Sequence, residues 1–271
     1  MFDASIITKK VRLGLCLASL LFSGMSAISA NAQTAVPNQL KVGLEVAYPP
    51  FESYEGDKIV GFDPELTMML ARAMKLQPTF VDTKFASLIL GLGAGQHDAV
   101  ISGLYITTER LAVADAIPYA KSGALILASK DGVMPKSEND LCGLKVGLQA
   151  GTSWVKKLKD LSTDYCAPKG KPAVDVHEFP TAPEVLQALL SKNIQAQIEV
   201  AAVAKAFAEK SRGRVVISSP SQIYMQTLGV FVKKGNVALK QAFEAGMVAI
   251  KKSGEYDALI KKYDLGAVDI K

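Results

Sequence analysis

The sequence contains few of the residues that build metal centres and nucleophilic active sites. Its 271 residues include two histidines and three cysteines. His97 and His177 lie far apart, and neither is spaced with cysteines or carboxylates in a way that suits a metal ion. No motif places a histidine as a base beside a serine nucleophile. We therefore expect no metal, no cofactor and no catalytic residues.

A large surplus of charge of one sign is also missing. The chain has 31 lysines and arginines against 26 aspartates and glutamates, for a formal charge of +5. Three of these bases and one acid lie in the first 32 residues, which leaves the remainder at about +3. So small and dispersed a charge does not suit a nucleic-acid surface, and we expect no nucleic-acid partner.

Apolar runs long enough to span a bilayer are absent, because spanning needs about 20 apolar residues. Residues 9–12 contain three bases, and Leu13 to Phe22 form a short apolar run. Ala30-Asn31-Ala32 then supplies small residues at the positions that a signal peptidase requires. These features predict a secretory signal peptide over residues 1–32, cleaved to release the protein into the periplasm.

Only two cysteines follow the predicted cleavage site, Cys142 and Cys166. An even pair in an oxidising compartment favours a disulfide over two free thiols. The bridge would close a loop of about 25 residues and stabilise the fold by on the order of 3 kcal/mol if unstrained.

Strand-forming and helix-forming segments alternate along the rest of the chain. Leu40 to Val46 has β-forming residues at alternate positions, while Asp63 and Pro64 suit the cap and first position of a helix. Further strands are predicted at 79–81, 98–106, 144–148, 174–179, 194–199, 215–218 and 227–232, and further helices at 85–92, 153–161, 183–191, 201–210, 237–252 and 255–263. Such alternation predicts a layered α/β fold with largely parallel sheets.

A faint internal repeat suggests two similar lobes. Leu88 to Ile101 predicts a helix, a turn of small residues and a strand, and Val185 to Ile198 predicts the same order. Chance similarity between helix–strand units is the alternative. The chain would cross between the lobes near residues 120–129 and again near 218–224. The expected lobes are 39–122 with 222–271, and 123–221.

Two predicted strand-to-helix junctions suit an anion. At the first, Thr107 and Thr108 can cap a helix whose first turn contains Arg110, and the planar guanidinium can hold a carboxylate through two hydrogen bonds. At the second, Gly151 permits close backbone approach and a helix beginning near Ser153 offers free N–H groups. An ordinary surface ion pair and an ordinary helix cap are the alternatives. Facing each other, the two junctions would clamp an anion.

Six segments in order carry a resemblance to a known family. They are LKVG (40–43), YPPFE (48–52), GFDPEL (61–66), DAVISG (98–103), ITTER (106–110) and VGLQAGT (146–152). By these segments the mature chain resembles the solute-binding proteins of polar amino-acid ABC transporters, bacterial extracellular solute-binding protein family 3. The resemblance implies a type II periplasmic-binding-protein (Venus-flytrap) fold, with two mixed sheets flanked by helices and two hinge crossovers. It also implies a monomer that delivers its ligand to a permease in the inner membrane.

The resemblance further implies a set of ligand contacts. Arg110 would bind the α-carboxylate, Gly103 would add a backbone contact, and Ser153 would close on the carboxylate from the second lobe. Tyr48 and Phe85 would sandwich the ligand side chain, although core packing also explains these two aromatic residues.

Glu45 falls where some family members contact a cationic or amide group of the ligand. Two positions depart from the family pattern. Tyr105 stands where Ser or Thr is common, and Val200 stands where an Asp usually pairs with the α-ammonium. Glu199 is adjacent, but neighbouring strand residues point to opposite faces. Either Glu199 takes this role after a local change, or the ammonium is absent, substituted or held by Glu45. An N-substituted, opine-like ligand then becomes reasonable.

The expected function is therefore binding, without catalysis, of an amino acid or derivative through its carboxylate for an ABC importer. The main alternative is a periplasmic dehydratase acting on arogenate or prephenate, since such enzymes resemble this fold. Glu45 or Glu199 would then act as a general acid, but the sequence shows no paired acid and base. A sensing module of a signalling receptor is disfavoured, because no transmembrane or kinase segment follows the last predicted helix.

Overall fold

The computed structural model of the protein describes residues 34–268. The predicted signal peptide, residues 1–32, lies outside the described residues. Every helix within 34–268 is too short or too polar to cross a bilayer.

Strands and helices alternate as the sequence predicts. The strands are β1 (Gln39–Leu44), β2 (Ser53–Glu55), β3 (Lys58–Val60), β4 (Gln77–Asp82), β5 (Ala99–Val100), β6 (Ala114–Ser129), β7 (Lys145–Gln149), β8 (Asp175–Phe179), β9 (Ala196–Val200), β10 (Val215–Ile217) and β11 (Ile223–Lys233). The α-helices are α1 (Phe62–Met74), α2 (Leu88–Gly93), α3 (Thr108–Val113), α4 (Trp154–Leu161), α5 (Ala182–Leu190), α6 (Ala201–Lys210), α7 (Val237–Lys252) and α8 (Glu255–Lys262). Short helical turns occur at Phe85–Ser87, Glu138–Leu141, Ser162–Cys166 and Ala167–Lys169.

One mixed sheet runs through the molecule in the order β4-β1-β5-β11-β6-β9-β7-β8, with β10 on β6. Its first half contains β1 parallel to β4 and β5, and its second half contains β7 parallel to β8 and β9. The long antiparallel strands β6 and β11 lie between these halves. The two mixed sheets that the sequence predicts are therefore continuous, because the first predicted crossover is part of β6.

The predicted repeat has a counterpart in the strand pairing. In the first half, α2 leads into β5, where Ala99 pairs with Val42 of β1. In the second half, α5 leads into β9, where Ala196 pairs with Val146 of β7. Each helix–turn–strand unit thus adds its strand beside the first strand of its own half.

Helix α1 begins differently from the prediction. Its cap is Gly61, where a Cβ would lie 2.3 Å from the carbonyl oxygen of Phe51. Asp63 is not the cap: it is fully buried, and its Oδ2 accepts a hydrogen bond of 2.6 Å from the N–H of Gly103. The prediction was wrong because a partner 40 residues away uses this carboxylate.

Strand β5 has only two residues, although an apolar strand from 98 to 106 is predicted. Ile101 and Leu104 are buried in the turn that follows β5 rather than in the sheet. A buried apolar run does not by itself distinguish a strand from a buried turn.

The predicted disulfide between Cys142 and Cys166 is confirmed, with the two sulfurs 2.02 Å apart. It links the segment before β7 to the helical turn after α4. The bridge therefore anchors the first strand and first helix of the second half to each other.

Candidate functional site

The candidate site lies where the carboxyl ends of the parallel strands from both halves meet. Glu45 follows β1, Gly103 follows β5, Gln149 ends β7 and Val200 ends β9. Ligands of open α/β sheets bind at such strand ends. The topology therefore brings together residues that are distant in the sequence.

A narrow cavity at these strand ends is lined by both halves of the sheet. Its lining residues are Tyr48, Phe85, Gly103, Tyr105, Arg110, Gln149, Thr152, Ser153, Trp154 and Val200. Seven of the nine residues predicted to bind ligand are among them. The other two, Glu45 and Glu199, adjoin the cavity through hydrogen bonds to its lining residues.

Arg110 is positioned by a capped helix start, as the sequence predicts. The Oγ1 of Thr107 accepts a hydrogen bond of 3.2 Å from the backbone N–H of Arg110, in the first turn of α3. The guanidinium donates from Nη1 to the carbonyl of Tyr105 at 2.6 Å and from Nη2 to the carbonyl of Gly151 at 3.0 Å. It also lies 5.6 Å from the centre of the Phe85 ring, within cation–π range.

The guanidinium of Arg110 has no carboxylate within ion-pair distance among residues 34–268. Burial lowers the pKa of Arg110 to about 10, and the adjacent Glu109 opposes this shift only in part. The group stays positively charged at neutral pH. A half-buried cation held by two neutral carbonyls suits a carboxylate ligand.

The turn between β7 and α4 brings the second half close to Arg110. Gly151 has a φ of +82°, and a Cβ there would lie 2.9 Å from the Cα of Ala86 in the first half. Glycine thus permits the two halves to approach closely at this position, whereas the predicted approach of an anion to this turn stays a prediction. The hydroxyl of Ser153 does not cap α4; it donates a hydrogen bond of 3.3 Å to Oε1 of Gln226.

Two buried acids, Glu45 and Glu199, accept hydrogen bonds from neutral donors. Glu45 accepts from the side-chain amide of Gln149 at 2.5 Å and from the N–H of Phe85 at 3.2 Å. Glu199 accepts from the hydroxyl of Tyr48 at 2.8 Å and from the side-chain amide of Gln197 at 2.9 Å. The bonds from Gln149 and Tyr48 cross between the two halves of the sheet.

Neither Glu45 nor Glu199 forms an ion pair with any residue of the described range 34–268. Burial raises the pKa of Glu199 to about 7, against the opposing effect of its hydrogen bonds from Tyr48 and Gln197. Burial also raises the pKa of Glu45. The cleft therefore contains a cation and two acids that form no ion pair with any of the described residues.

The two residues that depart from the family pattern, Tyr105 and Val200, both line the cavity. Tyr105 is buried, its hydroxyl donates to the carbonyl of Gly123 at 3.3 Å, and its ring meets Trp154 edge to face at 5.8 Å. Val200 is buried at the end of β9. Together they present an aromatic ring and an aliphatic side chain to the cavity that Arg110 also lines.

Sequence reasoning missed three residues of the cavity wall: Gln149, Thr152 and Trp154. All three lie at the junction between β7 and α4, which the sequence had already identified as a possible anion site. The same position at the carboxyl end of a parallel strand would have predicted them. The N–H of Gly103 is already used by Asp63, so a ligand contact from Gly103 would come from its carbonyl.

Comparison with known proteins gives the same picture over nearly the whole chain. The family model of the bacterial extracellular solute-binding proteins, family 3, matches residues 40–267. The ABC transporter arginine-binding protein 1 of Escherichia coli K12 is 30% identical over 256 residues, covering 93% of this chain and 97% of that protein. The histidine-binding periplasmic protein of the same organism is also 30% identical, with 90% and 94% covered.

A solved structure of similar fold is an ancestral arginine-binding protein bound to arginine. It aligns with a TM-score of 0.76 at 31% identity and covers 83% of this chain and 98% of that chain. The two-lobed type II fold that the sequence predicts is thereby confirmed. The relatives above are amino-acid-binding proteins of transport systems rather than enzymes. The chain belongs to the bacterial extracellular solute-binding proteins, family 3.

Proposed function

We propose that this protein is the periplasmic binding component of an ABC importer and captures an amino acid or amino-acid derivative. Its carboxylate would bind Arg110, and a cationic or amide group would bind the buried acids Glu45 and Glu199. The observation that carries this proposal is Arg110, a half-buried cation between the two halves of the sheet that has no carboxylate partner among the described residues.

The proposed lobes are residues 39–122 with 222–271, and residues 123–221. The boundaries fall within β6 and just before β11, where the N–H of Gly123 donates a hydrogen bond of 2.6 Å to Gln222. Bending here would open the cleft, and closure on a ligand is the usual hinge motion of such proteins. The contacts of Gln149 with Glu45 and of Glu199 with Tyr48 would form on closure.

Some of the relatives support a ligand with a cationic side chain, while another is named for cystine and another aligned structure holds glutamine. One is named for arginine, another for histidine, and the aligned ancestral structure holds arginine. The two buried acids of this chain could receive such a side chain through charge-assisted hydrogen bonds. The ligand would then pass to a permease in the inner membrane, with the protein acting as a monomer.

A thermal-shift screen of L-amino acids, guanidino compounds and cyclic carboxylates tests this proposal. A ligand that binds the native state raises the melting temperature, because it stabilises the folded protein by RT ln(1 + L/Kd), where L is the free ligand concentration. We expect stabilisation by carboxylates that carry a remote cationic group, and no turnover of arogenate or prephenate. If no amino-acid-like carboxylate stabilises the protein, the proposed function is wrong.

A further inference from the structure

The wall of the narrow cavity that Arg110 shares with Tyr105 and Val200 contains no acid. Within the described residues, its lining combines one arginine with aromatic, aliphatic, hydroxyl and amide side chains. Glu109, the acid next to Arg110 in the sequence, is exposed and does not line this cavity. A ligand carboxylate bound to Arg110 inside this cavity would thus meet no acidic side chain among the lining residues, whereas Glu109 and Asp160 line the adjoining wider opening that Arg110 also lines.

A free α-amino acid would place its ammonium in these same surroundings, because the nitrogen and the carboxylate share one carbon atom. There the ammonium would face Val200, which is 1% exposed, and Tyr105, which is 4% exposed and whose hydroxyl already binds Gly123. The hydroxyl of Thr152 donates to the carbonyl of Gln149. Burying an ammonium without an acid partner is unfavourable, even where neutral oxygens accept some of its protons.

The two buried acids of the cleft lie behind the lining residues of this cavity rather than among them. Glu45 and Glu199 meet Phe85, Gln149 and Tyr48, and neither pairs with Arg110. They interact with each other, since the charge of Glu45 contributes to the raised pKa of Glu199. Two buried acids without a cation partner among the described residues suit a guanidinium or ammonium that is remote from the ligand carboxylate.

We infer that the cleft selects a carboxylate with a remote cationic group and no free ammonium on its α-carbon. This class includes guanidino and amino carboxylates that lack the α-nitrogen. It also includes N-carboxyalkyl amino acids, whose second carboxylate neutralises the nitrogen within the ligand itself. The inference rests on the proposed function and names the ligand class of the same site.

Titration calorimetry of the full mature protein at neutral pH with three probes tests this inference. The probes are L-arginine, 5-guanidinopentanoate, which is arginine without its α-amino group, and agmatine, which is arginine without its carboxylate. We expect 5-guanidinopentanoate to bind at least as tightly as L-arginine. We expect agmatine to show no saturable binding.

The possible outcomes separate the inference from the proposed function. If L-arginine binds more than about tenfold tighter than 5-guanidinopentanoate, the α-ammonium is recognised and the inference fails, while the proposed function stands. If agmatine binds as well as the two carboxylates, the cleft does not recognise a carboxylate and the proposed function fails.

A substitution at Val200 gives a second test. Val200→Asp adds an acid to the cavity wall that Arg110 also lines. We expect the ratio of the variant's affinity for L-arginine to its affinity for 5-guanidinopentanoate to rise by about tenfold or more relative to wild type. Val200→Asn has nearly the same size without the charge and should leave the preference unchanged. A folded Val200→Asp protein with the wild-type preference would overturn the inference. If the variant does not fold, the ranking of the probes on the wild-type protein decides.

Discussion

Individual residues of the cleft couple ligand binding to protonation. Burial raises the pKa of Glu199 to about 7, well above the value near 4.5 of an exposed glutamate. Between these two values the folded protein holds a proton on Glu199 that the unfolded chain releases. A cationic ligand favours the ionised carboxylate, so binding in this range must expel the proton. Glu45, whose pKa is also raised, contributes with the same sign.

We predict that affinity for a cationic ligand increases as the pH rises toward about 7 and levels off above it. Glu199→Gln should flatten this profile and weaken binding at neutral pH, because the amide cannot ionise. Calorimetry across the pH range measures both effects, with the exposed Glu178→Gln as the matched control. Without ligand, the free energy of unfolding of the wild type should fall as the pH rises from about 4.5 to 7, because the unfolded chain releases the proton that folded Glu199 retains. Glu199→Gln should lose less free energy of unfolding over this range. A Glu199→Gln profile as steep as the wild-type profile would refute this role.

At the scale of elements, the turn between β7 and α4 determines how closely the two halves approach. Its carbonyl at Gly151 accepts a hydrogen bond from Arg110, and its Cα faces Ala86. Gly170, in a turn of the second half, also has a positive φ but has no atom within 4 Å of a Cβ built on it. The two glycines therefore share a backbone conformation and differ in the contact across the cleft.

We predict that Gly151→Ala weakens ligand binding far more than Gly170→Ala. Both substitutions strain the backbone and should lower thermal stability to a similar degree, by about 1 kcal/mol or more. Only the Cβ at residue 151 would meet Ala86 and oppose closure. Calorimetry with a ligand from the screen, alongside thermal unfolding, separates the two effects. Equal affinities in the two variants would show that the halves do not close through this turn.

The sequence predicted elements well where the signal is local. Helix α4, the cap of α3 by Thr107 and the Cys142–Cys166 bridge follow from periodicity, capping chemistry and compartment. The sequence prediction failed where a partner distant in the sequence determines the role of a side chain. Asp63 was predicted to cap a helix, but its carboxylate accepts a hydrogen bond from Gly103. The pairing of Gln149 with Glu45 could not be predicted either, because it requires the two halves to face each other.

At the scale of the whole molecule, the fold places separated charges in a cleft between two similar halves. The long strands β6 and β11 connect the halves, and the strand ends of each half supply one wall of the cavity. The first half contributes Arg110 and Glu45 and the second half contributes Glu199, and none of the three forms an ion pair among the described residues. A ligand with both charges can neutralise them together, which links binding to closure.

The central claim is that Arg110 binds the ligand carboxylate, and calorimetry of Arg110→Ala tests it most directly. Removing one member of a buried charge pair costs about 2 kcal/mol or more, so we predict that affinity falls at least about thirtyfold. The variant should still unfold cooperatively, and Arg72→Ala, at an exposed ion pair of α1, should bind like the wild type. A folded Arg110→Ala protein that binds within about threefold of the wild type would contradict the account.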